Sequence, residues 1–558
     1  MKGRRMLVGA LVLGLLLSLA GLSPVSAGPE REEADPRPLR ADFDGDGFGD
    51  LAIGVPGEYL EGADDAGGVN VLYGRSYGLS TEFDQFWAQD NPGLSSEAEA
   101  GDEFGRALAA GDFDGDGHTD LAVGVPYEDE GDLPMINAGL VNVIYGSGGG
   151  LYAAERWLQP TYGLLDTAEA GDGFGYALAA GDFDRDGYDD LAIGVPYEGL
   201  YGGFEYIGNA GAVNVLYGSS GGLTAEDDQY FDQETEGIEG NADTDELFGY
   251  ALTAGDLNGD GYDDLAIGVP GDGDAGVNDA GAVNVLYGGP DGLTADNRIW
   301  RQGAAGVPDS TSTSDRFGDA LAAGDLNGDG YDDLVVGIPL EDTFVPFVYT
   351  LDTGAVQVLY GSSDGLTATG NQFWDQSRLE FYEQGDRFGF ALVTGDFDGD
   401  NYADLAIGVP FEDLVSGGAF TDAGVVHVLR GSSAGLTETE RQLWHQDQPE
   451  VEDQVEGREG FGYALAAADF DADGYADLAI GVPYEELEGA TTITNAGVVH
   501  VIFGSSGGLA AGTRDQWWHQ DVYEVNESAE EEDRFGFALA ALVPEGHRTY
   551  LPAVLRNF

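Results

Sequence analysis

The segment GDFDGDGHTDLAVGVP, residues 111–126, sets Asp112, Asp114, Asp116 and Asp120 within nine positions and then turns apolar. Carboxylates at alternate positions, with Gly117 permitting a sharp turn, can wrap a hard cation that takes about six to eight oxygens at roughly 2.3–2.6 Å. Calcium is the ion this chemistry favours. An EF-hand would also need a bidentate Glu at loop position twelve, followed by a helix. Position twelve is Val123, inside Leu-Ala-Val-Gly-Val-Pro, so the EF-hand reading fails. That run is short, β-branched and bounded by Gly and Pro, the marks of a strand. The aspartates therefore belong in a hairpin between two strands.

The elements that position this hairpin repeat along the chain. First aspartates recur at Asp42, Asp112, Asp182, Asp256, Asp325, Asp396 and Asp469, at intervals of 70, 70, 74, 69, 71 and 73 residues. Each loop leads into a strand ending at Pro56, Pro126, Pro196, Pro270, Pro339, Pro410 or Pro483. A variable loop follows, then a strand of the type AGAVNVLYG, whose alternation predicts a half-buried strand. A Gly/Ser turn precedes a segment built on an aromatic, any residue, then Gln: Trp87, Trp157, Phe231, Trp300, Trp374, Trp444 and Trp518. A Phe-Gly strand, at Phe104, Phe174, Phe248, Phe317, Phe388 and Phe461, opens the next aspartate loop. Four short strands per repeat predict an all-β, seven-bladed propeller. A seventh Phe-Gly strand starts at Phe535 with no aspartate loop after it, whereas the loop at Asp42 has no Phe-Gly strand before it. The C-terminal strand is therefore expected to supply the inner strand of the first blade and close the ring, which abolishes exposed edges.

Composition narrows the function. A net charge of −81 repels nucleic acid and anionic membranes and attracts divalent cations. The absence of cysteine excludes disulfides, thiolate catalysis and Cys-ligated zinc. Residues 1–27 carry Lys2, Arg4 and Arg5, an apolar stretch from Leu7 to Leu22, and Val25-Ser26-Ala27, the pattern of a secretory signal. No later apolar run approaches the roughly 20 residues of a membrane helix. The expected organisation is a signal peptide over 1–27, a linker over 28–38, the propeller over 39–545 and a tail over 546–558, in a chain that is secreted or at the cell surface.

Phe-Gly, then Asp-x-Asp-x-Asp-Gly-x-x-Asp, then Gly-Val-Pro closely resembles the FG-GAP repeat of the integrin α-subunit N-terminal propeller. The resemblance covers nearly all of residues 40–545. It implies that loop positions one, three, five and nine supply side-chain ligands to calcium and position seven a backbone carbonyl. In the first three copies these are Asp42, Asp44, Asp46, Phe48 and Asp50; Asp112, Asp114, Asp116, His118 and Asp120; and Asp182, Asp184, Asp186, Tyr188 and Asp190. The next two give Asp256, Asn258, Asp260, Tyr262 and Asp264, then Asp325, Asn327, Asp329, Tyr331 and Asp333. The last two give Asp396, Asp398, Asp400, Tyr402 and Asp404, then Asp469, Asp471, Asp473, Tyr475 and Asp477. About seven calcium ions are thus implied, and Asn401 stands where the sixth loop's turn glycine belongs. The leg domains and membrane span of integrin α-subunits do not follow here, so the propeller alone is implied.

Other candidate chemistry is better explained by architecture. Gly-x-Ser-x-Gly, at 74–78, 361–365 and 431–435, falls in a repeated turn between strands, not in a strand-to-helix nucleophile elbow. His427 and His500 replace Asn or Gln of other copies, and His445 and His519 fill the middle of the aromatic-x-Gln segment. The recurring Trp and Phe of that segment suit packing between blades more than sugar stacking. The loops after Gly-Val-Pro carry Tyr127, Tyr197, Tyr201, Phe204, Tyr206, Phe344, Phe347, Tyr349, Phe411 and Tyr484; these either form a binding patch or pin their own loops. The expectation is a monomeric, non-catalytic adhesion or recognition module stapled by calcium, with a protein or glycan ligand on the face opposite the calcium loops. A carbohydrate-active or other hydrolytic enzyme on the same scaffold, or a structural envelope component, is the alternative.

Overall fold

Six of the seven aspartate loops join the first two strands of a four-stranded antiparallel sheet, and the first, at Asp42, only leads into the second strand of its sheet. In the second sheet, Ala107–Gly111 pairs with Asp120–Val125 so that Gly111 faces Asp120, and Leu140–Tyr145 and Ala153–Trp157 follow in chain order. Five further sheets repeat this order from inner strands Ala177–Gly181, Ala251–Gly255, Ala320–Gly324, Ala391–Gly395 and Ala464–Ala468. The remaining sheet is assembled from both ends of the repeat array. Ala538–Ala540 is its inner strand, pairing Ala52 with Ala540, Ile53 with Leu539 and Gly54 with Ala538, and Gly68–Arg75 and Gly78–Trp87 complete it. Successive inner strands touch all the way round, with Ala538–Ala540 meeting both Ala464–Ala468 and Ala107–Gly111. The fold is therefore a seven-bladed β-propeller closed by its C-terminal strand, as expected. Among the described residues the only α-helix is Gln376–Leu379.

This computed structural model describes residues 41–541 except 61, 92, 95–96, 130–135, 160–163, 166, 203–204, 274–276, 296, 305, 309–311, 346–347, 380–381, 416–418, 449–450, 452–454, 488–491, 511–514, 522–524 and 526–527. They belong to the compact unit Pro38–Phe558. The expected signal peptide, linker and C-terminal tail lie outside the described residues.

The third strand departs from expectation. Leu140–Tyr145 is buried at every position, including Asn142 at 0% exposure. Alternation predicted one solvent face, but blades stack face to face, so both faces of the strand are covered. The outermost strand, Ala153–Trp157, carries the half-exposed pattern instead.

Stacking also accounts for the Phe-Gly and Gly-Val-Pro motifs. Phe104 is fully buried, and its N–H donates to Ala66 O of the preceding blade at 3.0 Å. Gly105 follows with φ +85°, and a Cβ there would meet Gly68 O at 2.5 Å. A Cβ on Gly54, from Gly-Val-Pro, would meet Gly105 O at 2.1 Å. Glycine at both motifs lets neighbouring backbones touch.

Candidate metal centres

Each aspartate loop is a turn built by its own carboxylates. In the second, Asp112 Oδ1 and Oδ2 accept the N–H groups of Asp116 and Gly117, each at 3.1 Å. Asp114 Oδ1 also accepts from Asp116 N–H at 3.1 Å, and Asp116 Oδ1 accepts from His118 N–H at 2.9 Å. Asp120 Oδ2 accepts from Phe113 N–H at 2.9 Å, and Oδ1 from Gly146 N–H, at the end of the third strand, at 2.8 Å. The last of these bonds recurs in all seven blades, from Asp50, Asp120, Asp190, Asp264, Asp333, Asp404 and Asp477. In the sixth loop Asn401 takes the turn glycine's place at φ +68°, a conformation asparagine tolerates.

These bonds aim three carboxylates at one point. One oxygen each from positions one, three and nine lies within 4.8 Å of the others in Asp42/Asp44/Asp50, Asp112/Asp114/Asp120, Asp182/Asp184/Asp190 and Asp396/Asp398/Asp404. Position five, also expected to ligate, is not part of those groupings; Asp46, Asp116, Asp186 and Asp400 each accept the position-seven N–H. In the fourth and fifth loops Asn258 and Asn327 donate Nδ2–H toward Asp264 and Asp333 at 3.4 and 3.3 Å, so the amide must turn to offer an oxygen to a cation. Burial, the largest cause, with like-charged neighbours, pushes Asp120 and Asp404 up to about 8 and Asp190 to about 9. Three ionised carboxylates in such a place repel one another until a cation neutralises them. The all-oxygen donor set fits a hard divalent ion.

The loops are joined to one another, a connection that reading ligand positions along the chain missed. Thr119 N–H donates to Asp42 O of the preceding loop at 3.1 Å. Asp189, Asp263, Asp332, Ala403 and Ala476 repeat this bond to Asp112, Asp182, Asp256, Asp325 and Asp396, and Gly49 N–H closes the circle on Asp469 O at 3.0 Å. The donor is always position eight and the acceptor position one. Position-seven rings add to this belt, since His118 and Tyr188 lie against Gly45 and Gly115 of the loop before.

A second repeated layer lies on the opposite face. At six of the seven blade junctions the Gln of the aromatic-x-Gln segment reaches an acid of the next blade: Gln159 Nε2–H donates to Glu198 at 3.3 Å, Gln446 to Glu485 at 2.7 Å and Gln302 to Glu341 at 2.5 Å. Gln89, Gln376 and Gln520 pair in the same way with Glu128, Glu412 and Glu58, the last across the chain's closing junction. At the remaining junction the acid is Asp272, held by Arg301 Nε and Nη2 at 2.8 and 2.7 Å. A second buried acid stands beside each, just before Phe-Gly. Burial, the main cause, pushes Asp102, Glu246, Asp386 and Asp533 up to about 7 and Glu412 to about 8.

The other candidates fall into place around these layers. The Gly-x-Ser-x-Gly serines sit in turns between the third and fourth strands; in the turn 431–435, Ser432, the residue before the motif serine Ser433, donates its Oγ–H to Gly435 O at 2.7 Å. His427 is 2% exposed against Phe388, and burial pushes its ring down to about 3, so it is a neutral core residue. Trp87, Trp157, Trp300, Trp374 and Trp444 are all buried, consistent with packing. The aromatics after Gly-Val-Pro divide in two. Tyr197, Phe411 and Tyr484 pack edge-on against Tyr176, Phe390 and Tyr463, each just before an inner strand, and Arg106 lies over Tyr127 at 5.2 Å. Tyr201 and Tyr206 instead stand 75% and 60% exposed on the hairpin Leu200–Gly202/Glu205–Ile207, with ring centroids 5.3 Å apart. Phe204 and Phe347 lie outside the described residues, as do the side chains of Phe344 and Tyr349.

No helix of the described residues is long and apolar enough to cross a membrane. Over 280 residues the chain is 33% identical to integrin alpha-PS2 of Drosophila melanogaster, which covers 48% of this chain and 18% of the relative. It is 36% identical over 163 residues to phosphatidylinositol-glycan-specific phospholipase D of Bos taurus, covering 29% and 18%. It thus spans about a fifth of the length of these relatives. Among solved structures, a rhamnogalacturonan lyase of Bacillus licheniformis aligns over 88% of this chain and 92% of its own at 10% identity, with a TM-score of 0.30. The FG-GAP repeat model matches residues 39–72, 104–141, 174–216, 248–286, 317–359, 388–429 and 461–502, once in each blade, and the chain belongs to the FG-GAP repeat family.

Proposed function

We propose that this chain is an exported calcium-binding propeller that serves as a non-catalytic adhesion or recognition module. Residues 1–27 act as its secretory signal, and each aspartate loop holds one calcium ion. The observation that carries the reading is the convergence of carboxylates at positions one, three and nine, within 4.8 Å of one another, with position nine buried in each. Position seven adds a backbone carbonyl and position five an outer oxygen. The integrin relatives support recognition on this scaffold. Calcium here organises the loops, and the varied loops of the opposite face meet a protein or glycan. The test is a calcium titration of the intact protein, followed by a screen against glycans and cell-surface proteins with and without chelator. Uptake of about seven ions with a chelator-sensitive partner is expected. Absence of calcium uptake, or hydrolysis of a glycan or ester that is lost on a single substitution, overturns the reading.

A further inference from the structure

Two of the aspartate loops already have a cation of their own. Arg75 Nη1 lies 2.5 Å from Asp46 Oδ2 and 3.4 Å from Asp44 Oδ2 in the first loop. Arg430 Nη1 pairs with Asp398 Oδ2 in the sixth, while its Nη2 donates to Gly507 O at 2.5 Å. Both guanidinium groups are largely buried, at 17% side-chain exposure. Both meet the position-three carboxylate, one of the three that converge in these loops.

They arrive there from different places in the repeat. Arg75 follows the glycine that ends the third strand, where other copies have Ser147, Ser219 or Ser362. Arg430 precedes that glycine, where other copies have Tyr145, Tyr217 or Tyr360. Each gives up a bond made elsewhere: Ser147 Oγ–H to Gly150 O at 2.7 Å, and Tyr360 O–H to Gln372 at 2.8 Å. Two unrelated substitutions that reach the same loop position argue for a shared electrostatic effect. In a chain with 22 basic residues against 103 acidic ones, such placement is not explained by abundance.

We propose that Arg75 and Arg430 compete with the cation at the first and sixth loops, so that these sites bind calcium less tightly than their four carboxylates would otherwise allow. The inference rests on the calcium reading above. A fixed positive charge beside a ligand carboxylate opposes a second cation and, with the metal removed, relieves the repulsion among the carboxylates. The two loops are thereby the first to empty and the least damaged by emptying.

Arg75→Ser and Arg430→Tyr restore the residues of the other copies, and Arg430→Gln guards against a misfit tyrosine. Calcium is titrated into the full chain by calorimetry, ions are counted by native mass spectrometry, and Tm is measured with calcium and with chelator. Each substitution should tighten one site by roughly tenfold, leave the other sites unchanged, and lower Tm in chelator but not in saturating calcium. Titrations that coincide with wild type, or Tm losses equal in both conditions, overturn the proposal and leave the calcium sites standing. A wild-type chain that takes up no calcium removes the calcium reading and this inference together.

Discussion

The two faces of the propeller carry different kinds of regularity. On the aspartate-loop face, every backbone bond of the belt from position eight to position one recurs in all seven loops. Opposite, the loops after Gly-Val-Pro vary, and hairpins such as Leu200–Gly202/Glu205–Ile207 and Thr343–Val345/Val348–Thr350 rise from some of them. A segment whose backbone must meet its neighbour at a set distance cannot change length. One that only returns the chain is free to vary and to carry specificity. Beneath the varied loops the junctions between glutamine and acid recur at six of the seven blade boundaries, so most of the variation lies in the outermost layer.

The strongest way to break this comparison is to open the ring, because both faces depend on closure. Deleting residues from 535 onward removes Ala538–Ala540, the inner partner of Leu51–Val55. The expected outcome is aggregation, read by light scattering, since unpaired edges template further pairing. A soluble monomer with unchanged melting would show that closure does not hold the faces together.

Metal removal should separate the faces next. Excess chelator is expected to lower Tm by roughly 20 °C, the order set by several sites each contributing about 2–3 kcal/mol when filled a hundredfold above Kd. Hydrogen exchange should rise mainly in the aspartate loops. Equal midpoints with and without calcium would make the acidic loops ordinary turns.

The opposite face should respond to pH instead. Its junction acids are raised to about 7 or 8 when folded and titrate near 4 when unfolded. The folded state therefore keeps protons that the unfolded state releases, and the stability this contributes is lost as pH rises through about 7–8. In saturating calcium, Tm should fall by about 5 °C from pH 6 to pH 9, with a shallower slope in Glu412→Gln. A flat profile would mean that the junction carboxyls ionise freely despite burial.

The smallest effect on the fold concerns the varied loops alone. Tyr201→Ser with Tyr206→Ser removes two exposed rings, so Tm should shift by less than about 1 °C and calcium content should not change. Binding to a partner found by screening should weaken. If substitutions at the Ser219 or Ser362 turns abolish binding and these do not, recognition belongs to the calcium face.

The residues by themselves determined the period, the strand ends, the aspartate turns and the closure by Phe535 onward. These follow from local patterns: alternate carboxylates around a turn glycine, β-branched runs stopped by proline, and one inner strand too many at the C-terminus. The pairing of position-eight N–H groups with position-one carbonyls, Gln446 with Glu485, and Arg430 with Asp398 was decided only by the tertiary structure. The same holds for Asn142, which alternation placed at a half-exposed strand and which stacking buries completely. Such contacts join residues that share no local pattern, often in different blades, and they come into being only when seven twisted sheets are packed face to face around one axis.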